Sequence, residues 1–215
     1  CPSKHTYKDL IKQDIFDQKK LKVLYDPILN LKNISQQIKK ENIIKKSKPY
    51  FVSVGRLTTQ KNHILLIKAF SEILKKNNNL NLYIVGDGEL KKKIKDFINL
   101  NNLQNNIFLI GQISNVYPII KNSLALISTS LWEDPGAVMV EASYCGKNVI
   151  SSACPNGPEE FLNYGKGGYL FQNNNLNDLI NKINEFLADD PNERYKKIIL
   201  CKKNTKNYTL FSHFK

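Results

Sequence analysis

Cysteine, histidine, tryptophan and long apolar runs are all scarce in this 215-residue chain. Its four cysteines (Cys1, Cys145, Cys154, Cys201) and three histidines (His5, His63, His213) lie far apart or at spacings that match no zinc motif. That scatter argues against a disulfide framework or a structural metal centre. The thiols are expected to be reduced and partly buried, with Cys145 and Cys154 as small core residues. No run of 18 apolar residues exists, and the opening CPSKHTYKDL has no apolar stretch resembling a signal peptide. These absences favour a soluble, cytoplasmic protein. Repeats of 20–50 residues are also missing, which excludes a solenoid or propeller.

What is abundant is lysine. Lys and Arg number 32 against 19 Asp and Glu, a formal excess of +13. Such a charge suits nucleic acid, an anionic membrane surface or phosphorylated ligands. The lysines are spread through runs such as KKNNNLN and LKKKIK, with no aromatic stripe or basic recognition helix, so nucleic acid is not the expected partner. A peripheral contact with anionic lipid at the inner face of the membrane stays open.

Hydrophobic residues make up 41% of the chain, enough for a substantial core. From Tyr50 onward, apolar runs that end in Gly, Ser or Asp alternate with segments of helical period. The expected strands are Tyr50–Val54, Leu80–Val85, Ile107–Ile110, Leu124–Ser128, Asn148–Ser151 and Gly168–Phe171. The expected helices are Asn62–Lys76, Glu89–Asn101, Val116–Asn122, Gly136–Cys145, Gly157–Leu162 and Leu176–Ala188. Asn62 is the expected N-cap of the first, and the Asn77–Asn79 run its stop. Strands that are apolar throughout, alternating with amphipathic helices, imply an α/β fold with a doubly wound, Rossmann-like parallel sheet covered on both faces. One further short strand is expected at Lys22–Tyr25, and a basic helical tail at 191–215.

Ligands of open α/β sheets bind beyond the carboxyl ends of the strands. There the sequence places Gly55, Arg56 and Lys61 after the first strand, Gly86–Glu89 after the second, and Gly111 after the third. The fourth and fifth strands are followed by Ser128–Gly136 and Ser151–Pro158. Arg56 and Lys61 suit a diphosphate, one as a planar fork and the other as a point charge. Pro135-Gly136 reads as a helix start whose free N–H groups, at Gly136, Ala137 and Val138, suit a phosphate oxygen. Glu133 and Glu141 suit the hydroxyls of a sugar and a ribose. Eight residues apart, they are expected to face one crevice, and Glu141, set among apolar neighbours, is expected to have a partner. Gly86-Asp87-Gly88 reads either as a tight turn or as a base contact, and Glu159 as structural or functional. Trp132 reads as a packing residue.

VSVGRLTTQKN, IVGDGELKKKI, ISTSLWEDPGAVMVEASYCGKNVISSACPNGPEEFL and GKGGYLF, in that order, resemble the C-terminal domain of the family 4 retaining GT-B glycosyltransferases. The resemblance runs from about Lys22 to Asp190. It implies that Glu133 and Glu141 contact donor sugar and ribose hydroxyls, and that Arg56 and Lys61 hold the diphosphate. Gly55 and Gly136 would approach the donor, with the Gly111–Ile113 turn framing the base. Arg56, Lys61 and Glu133 become the residues that assist transfer of a sugar, with retention, from a nucleotide diphosphate sugar. UDP is the favoured carrier, and the acceptor a glycan or lipid-linked glycan of cell-surface polysaccharide. The leaving diphosphate would help to deprotonate the acceptor, so catalysis would rest on positioning and electrostatics. No cofactor or metal is implied, and no Asp-x-Asp motif is present.

The resemblance departs from a two-domain enzyme before Tyr50, where about 50 residues are too few for a first Rossmann-like domain. Residues 1–49 therefore read as the end of an N-terminal domain plus the interdomain connection, 50–190 as the nucleotide-sugar-binding domain, and 191–215 as a tail. The chain then reads as an enzyme half: a truncated chain, a broken gene, or a subunit that works with a separately encoded N-terminal acceptor domain. The competing readings are a non-catalytic nucleotide-sugar-binding module, an inactive gene remnant and, more remotely, a GT-B epimerase.

Overall fold

Successive residues of a strand point to opposite faces, so a strand that is apolar at every position must be covered twice. The computed structural model describes residues 1–14, 16–42, 44 and 48–214. It contains six strands built around apolar residues: β1 (Tyr50–Val54), β2 (Asn81–Val85), β3 (Ile107–Gly111), β4 (Ala125–Ser128), β5 (Asn148–Ser152) and β6 (Tyr169–Phe171). They form one sheet in the order β3-β2-β1-β4-β5-β6, every pair parallel. Phe51, Leu82, Ile84, Ile127 and Ile150 face one core cluster. Tyr50, Val52, Tyr83, Val85, Leu126 and Val149 face the other.

The helices are α1 (Lys4–Lys12), α2 (Leu31–Gln37), α3 (His63–Lys76), α4 (Lys91–Leu100), α5 (Tyr117–Asn122), α6 (Ala137–Tyr144), α7 (Pro158–Phe161), α8 (Leu176–Ala188), α9 (Pro191–Asn204) and α10 (Leu210–His213). Helices α3, α4 and α8 cover the first face of the sheet. The second is covered by α5 and α6, with Ile34 of α2, Phe161 of α7 and Cys201 of α9. Among the described residues no helix is long and apolar enough to cross a membrane. Cys145 and Cys154 are buried, as expected of small core residues.

Between Tyr50 and Ala188 every expected strand and helix is present, its ends displaced by no more than two residues. Two details differ. Asn62 does precede α3, but its backbone is left-handed (φ 48°) and its side chain makes no capping bond. That amide donates instead to Asn174 Oδ1 at 3.0 Å. The strand expected at Lys22–Tyr25 is not formed. The segment finds no sheet edge, and its ladder-like contacts run to the chain's own start: Leu24 N donates to Cys1 O, and the Cys1 ammonium to Lys22 O, both at 2.9 Å.

The core extends beyond 50–190 on both sides. Leu29 is buried and pairs with Thr209 in an isolated parallel bridge. Tyr208 is buried against Phe161 and Tyr25, with ring centroids at 5.5 and 5.1 Å. The tail thus finds the surface its aromatics require at Tyr208, while Phe211 and Phe214 remain exposed. The linker residues 43 and 45–47, together with residues 15 and 215, lie outside the described residues.

Glu160 ties the first 25 residues to this body. Its carboxylate accepts from the Tyr25 hydroxyl and, at 2.9 Å, from Lys4 N. Hydrogen bonds to a charged acceptor contribute about 1.5–3 kcal/mol. Glu160→Ala is therefore expected to lower the unfolding free energy by about 2 kcal/mol in urea melts and to speed proteolysis before residue 25. An unchanged midpoint with unchanged cleavage would remove Glu160 from this role.

Candidate functional site

The strand order reverses between β1 and β4, adjacent in the sheet, so the loops leaving them diverge and open a crevice. A cavity of about 390 Å³ lies there, within the size range of small-ligand sites. It is lined by the end of β1 with Gly55 and Arg56, by Gln60 and Lys61, and by Leu126–Ser128. Trp132, Glu133 and Asp134 form another part, and Gly136–Met139 complete the wall. Seven of the ten residues proposed from the sequence as donor contacts meet in it: Gly55, Arg56, Lys61, Glu133, Gly136, Ala137 and Val138.

The centre of the site is an ion pair. Lys61 Nζ lies 2.6 Å from Glu133 Oε1, the two side chains only 19% and 9% exposed. Ser130 Oγ donates to the same oxygen at 2.5 Å. Lys61 closes a 3-10 turn (Thr59–Lys61), after which left-handed Asn62 redirects the chain into α3. Its stem lies across Gly55, where a Cβ would meet the Lys61 side-chain carbons at 3.3–3.4 Å. The loop bearing Glu133 is strapped to the Lys61 turn: Thr129 Oγ1 donates to Lys61 O at 2.9 Å and Leu131 N to Gln60 O at 2.8 Å. Arg56 is exposed on the cavity wall and forms no ion pair with a described residue. Burial, reinforced by Asp26, raises the pKa of Asp134 on the same wall.

Gly136 is the N-cap of α6, with φ +88°, a conformation that strains any residue with a Cβ. A Cβ there would also lie 2.4 Å from Met139 Cε and 3.6 Å from Glu133 Cγ. No described side chain caps α6, and Ala137 and Val138 in its first turn line the cavity. Pro135, joined to Asp134 by a cis peptide bond, stands before the cap and not inside the first turn.

Three proposed residues lie outside the cavity lining. Glu141, expected beside Glu133, is turned toward α5, where it accepts from the Tyr117 hydroxyl at 2.8 Å. Its expected partner is thus a neutral phenol. Burial raises the carboxyl pKa, and the Tyr117 bond opposes the rise. Gly111 ends β3 with φ +80°. Ile113 borders a separate hollow of about 500 Å³ with Gln37, Lys40 and Asn115. Gly86-Asp87-Gly88 behaves as a turn: a Cβ on Gly86 would lie 2.0 Å from Gly55 O, and Asp87 pairs with Lys91 at 2.6 Å. Trp132, expected to pack, is half exposed on the cavity wall. Ser130, Gln60 and Tyr117 carry no signal in the sequence; they resemble ordinary loop and helix residues until their partners are known. Among the described residues no cluster of three His, Cys, Asp or Glu side chains could hold a metal ion.

With this geometry in hand, the likenesses to known proteins acquire meaning. The family model "Glycosyl transferases group 1" matches residues 34–206. The chain belongs to this glycosyltransferase family. An uncharacterized glycosyltransferase of Methanocaldococcus jannaschii, MJ1059, is 39% identical over 137 residues, covering 64% of this chain and 34% of that protein. A Campylobacter jejuni N-acetylgalactosamine-N,N'-diacetylbacillosaminyl-diphospho-undecaprenol 4-alpha-N-acetylgalactosaminyltransferase is 31% identical over 188 residues, covering 87% of this chain and 50% of that one. Staphylococcus aureus TarM, crystallised with fondaparinux, alpha-GlcNAc-glycerol and UDP, superposes with a TM-score of 0.82 at 24% identity. The match spans 99% of this chain and 41% of TarM. This glycosyltransferase chain therefore spans half or less of the length of these relatives.

Two residues after Lys61 comes His63, 2% exposed, its Nδ1 without a hydrogen-bond partner among the described residues. Burial and the Lys61 ammonium push its pKa down to about 4. An unfolded imidazole titrates near pH 6.5. As pH falls from about 6.5 to 4 the unfolded chain takes up a proton that the folded one refuses, so stability drops across that window. The loss is on the order of 3 kcal/mol at its acid end. His63→Leu is expected to remove this part of the pH dependence, read as the difference between the two proteins in urea melts at pH 7, 5.5 and 4.5. Parallel curves would show that His63 does not titrate this way.

Proposed function

We propose that this chain is the C-terminal, donor-binding part of a retaining glycosyltransferase of GT-B architecture. In this reading a nucleotide diphosphate sugar, UDP-linked by preference, lies in the cavity between β1 and β4. One observation carries the proposal: the ion pair of Lys61 and Glu133 and the N-terminus of α6, uncapped by any described side chain, line one cavity of ligand size. A diphosphate requires cations and free amides, and a sugar requires a carboxylate that accepts from its hydroxyls. Arg56 serves as the bidentate phosphate partner, Lys61 as the point charge, Ala137 and Val138 as amide donors, and Glu133 as the hydroxyl acceptor.

Catalysis then rests on charge. As the glycosidic bond to the diphosphate breaks, negative charge grows on the leaving oxygens, where Arg56, Lys61 and the α6 amides stabilise it without reorganisation. The α-linkage named for the Campylobacter relative agrees with retention, and its diphospho-undecaprenol substrate supports a lipid-linked acceptor met at the inner membrane face. The UDP bound to TarM supports UDP as carrier. The acceptor is held by a separate N-terminal domain, consistent with the greater length of the relatives. Glu141 and the Gly111–Ile113 turn are assigned to the ribose and base end of the donor.

Calorimetry with UDP, GDP and ADP tests the phosphate site. Lys61→Ala is expected to weaken UDP binding by about 1.5–3 kcal/mol, the loss of a charged hydrogen bond. Equal affinities of wild type and variant would make Lys61 a structural cation and end the donor reading. Turnover of a UDP-sugar by this chain alone would overturn the assignment of the acceptor to a second domain.

A further inference from the structure

Glu133 is held unevenly. Lys61 Nζ at 2.6 Å and Ser130 Oγ at 2.5 Å both bind Oε1, and Oε2 accepts no hydrogen bond from a described residue. Ser130 is itself fixed. It is 1% exposed, and its carbonyl accepts from the Ser152 hydroxyl on β5, a side chain with no exposure at all. Ser128 Oγ, on the cavity wall, lies 3.4 Å from Ser130 Oγ. Since the Ser130 proton is committed to Glu133, Ser128 is the donor in that contact.

The two partners of Oε1 differ in what an arriving ligand does to them. Lys61 is a flexible four-carbon stem whose ammonium is drawn to a diphosphate, so its hold on Glu133 slackens when the donor binds. Ser130 is short, buried and not among the residues that line the cavity. We infer that Ser130 is the positioning residue that keeps Glu133 oriented while Lys61 is shared with the diphosphate, so that Oε2 remains aimed at a donor hydroxyl. The inference rests on the donor-binding reading above and assigns that reading's sugar recognition to a buried hydroxyl that touches no ligand.

The test separates sugar from phosphate. Affinities for UDP and for UDP-glucose, UDP-galactose and UDP-N-acetylglucosamine are measured by calorimetry on wild type, Ser130→Ala and Ser130→Thr. Folding is checked by melting temperature. For the best sugar nucleotide, the gain in affinity over UDP is expected to fall about tenfold in Ser130→Ala, the size of a lost charged hydrogen bond, with UDP affinity unchanged. Ser130→Thr, which keeps the hydroxyl, is expected to retain that gain. Equal loss of UDP and UDP-sugar binding in Ser130→Ala would mean a merely structural loop contact, and no loss of either would mean that Ser130 is dispensable; each overturns the inference alone. A wild-type chain that binds neither UDP nor any of the sugar nucleotides would instead overturn the donor reading, and the role of Ser130 with it.

Discussion

Two loops from opposite halves of the sheet meet in a single buried ion pair, and the site depends on that meeting. Removing Lys61 and Glu133 from water carries a desolvation cost that their attraction only offsets if geometry and auxiliary hydrogen bonds are good. Here the carboxylate has a second donor in Ser130, and the loops are strapped by Thr129 to Lys61 O, Leu131 N to Gln60 O, and Gln60 Nε2 to Trp132 O. The turn carrying the cation and the loop carrying the acid therefore move as one body. A pair this short and this enclosed adds little net stability. What it supplies is a fixed location for opposite charges at the edge of a cavity.

The sheet makes this possible through its strand order. With β1 and β4 adjacent at the reversal, the loops that follow them stand side by side at the crevice, close enough for the ion pair and its straps to join them. Helix α6 then enters with its positive end toward the same space, because Gly136 alone tolerates the left-handed turn that aims it. Sequence, topology and electrostatics converge on one location, though the residues involved span Gly55 to Met139.

Much of this was readable from the chain itself. Strands β1 to β6 announce themselves because parallel strands covered on both faces are rich in apolar residues, and the glycines and polar residues that end them mark where the loops begin. Side-chain direction was less legible. Eight residues separate Glu133 from Glu141, but Glu133 lies in a loop, where spacing fixes no angle, so nothing in the interval says that Glu141 turns toward Tyr117. Asn62 has the composition of a cap, yet its backbone angle places its amide on Asn174. Ser130 sits in a Ser-Thr-Ser run that could belong to any turn; only tertiary contact gives it a partner. The Lys22–Tyr25 run has strand-like composition, but a strand needs an edge to join, and none is offered.

The two acids of α6 and its preceding loop are consequently unlike groups. Glu133 is ion-paired and anchored twice at one oxygen, a setting that holds it in place. Glu141 has burial against it and only a neutral phenol in its favour, and its carboxyl is displaced upward. An acid of the first kind can accept from a ligand hydroxyl without surrendering its own partners. One of the second kind also has a second oxygen that can accept, since Tyr117 binds only Oε1, but no cation fixes its direction. In the donor-binding proposal the two positions therefore play different parts: Glu133 offers an oxygen oriented by an ion pair, and Glu141 a buried acid oriented by one phenol hydroxyl.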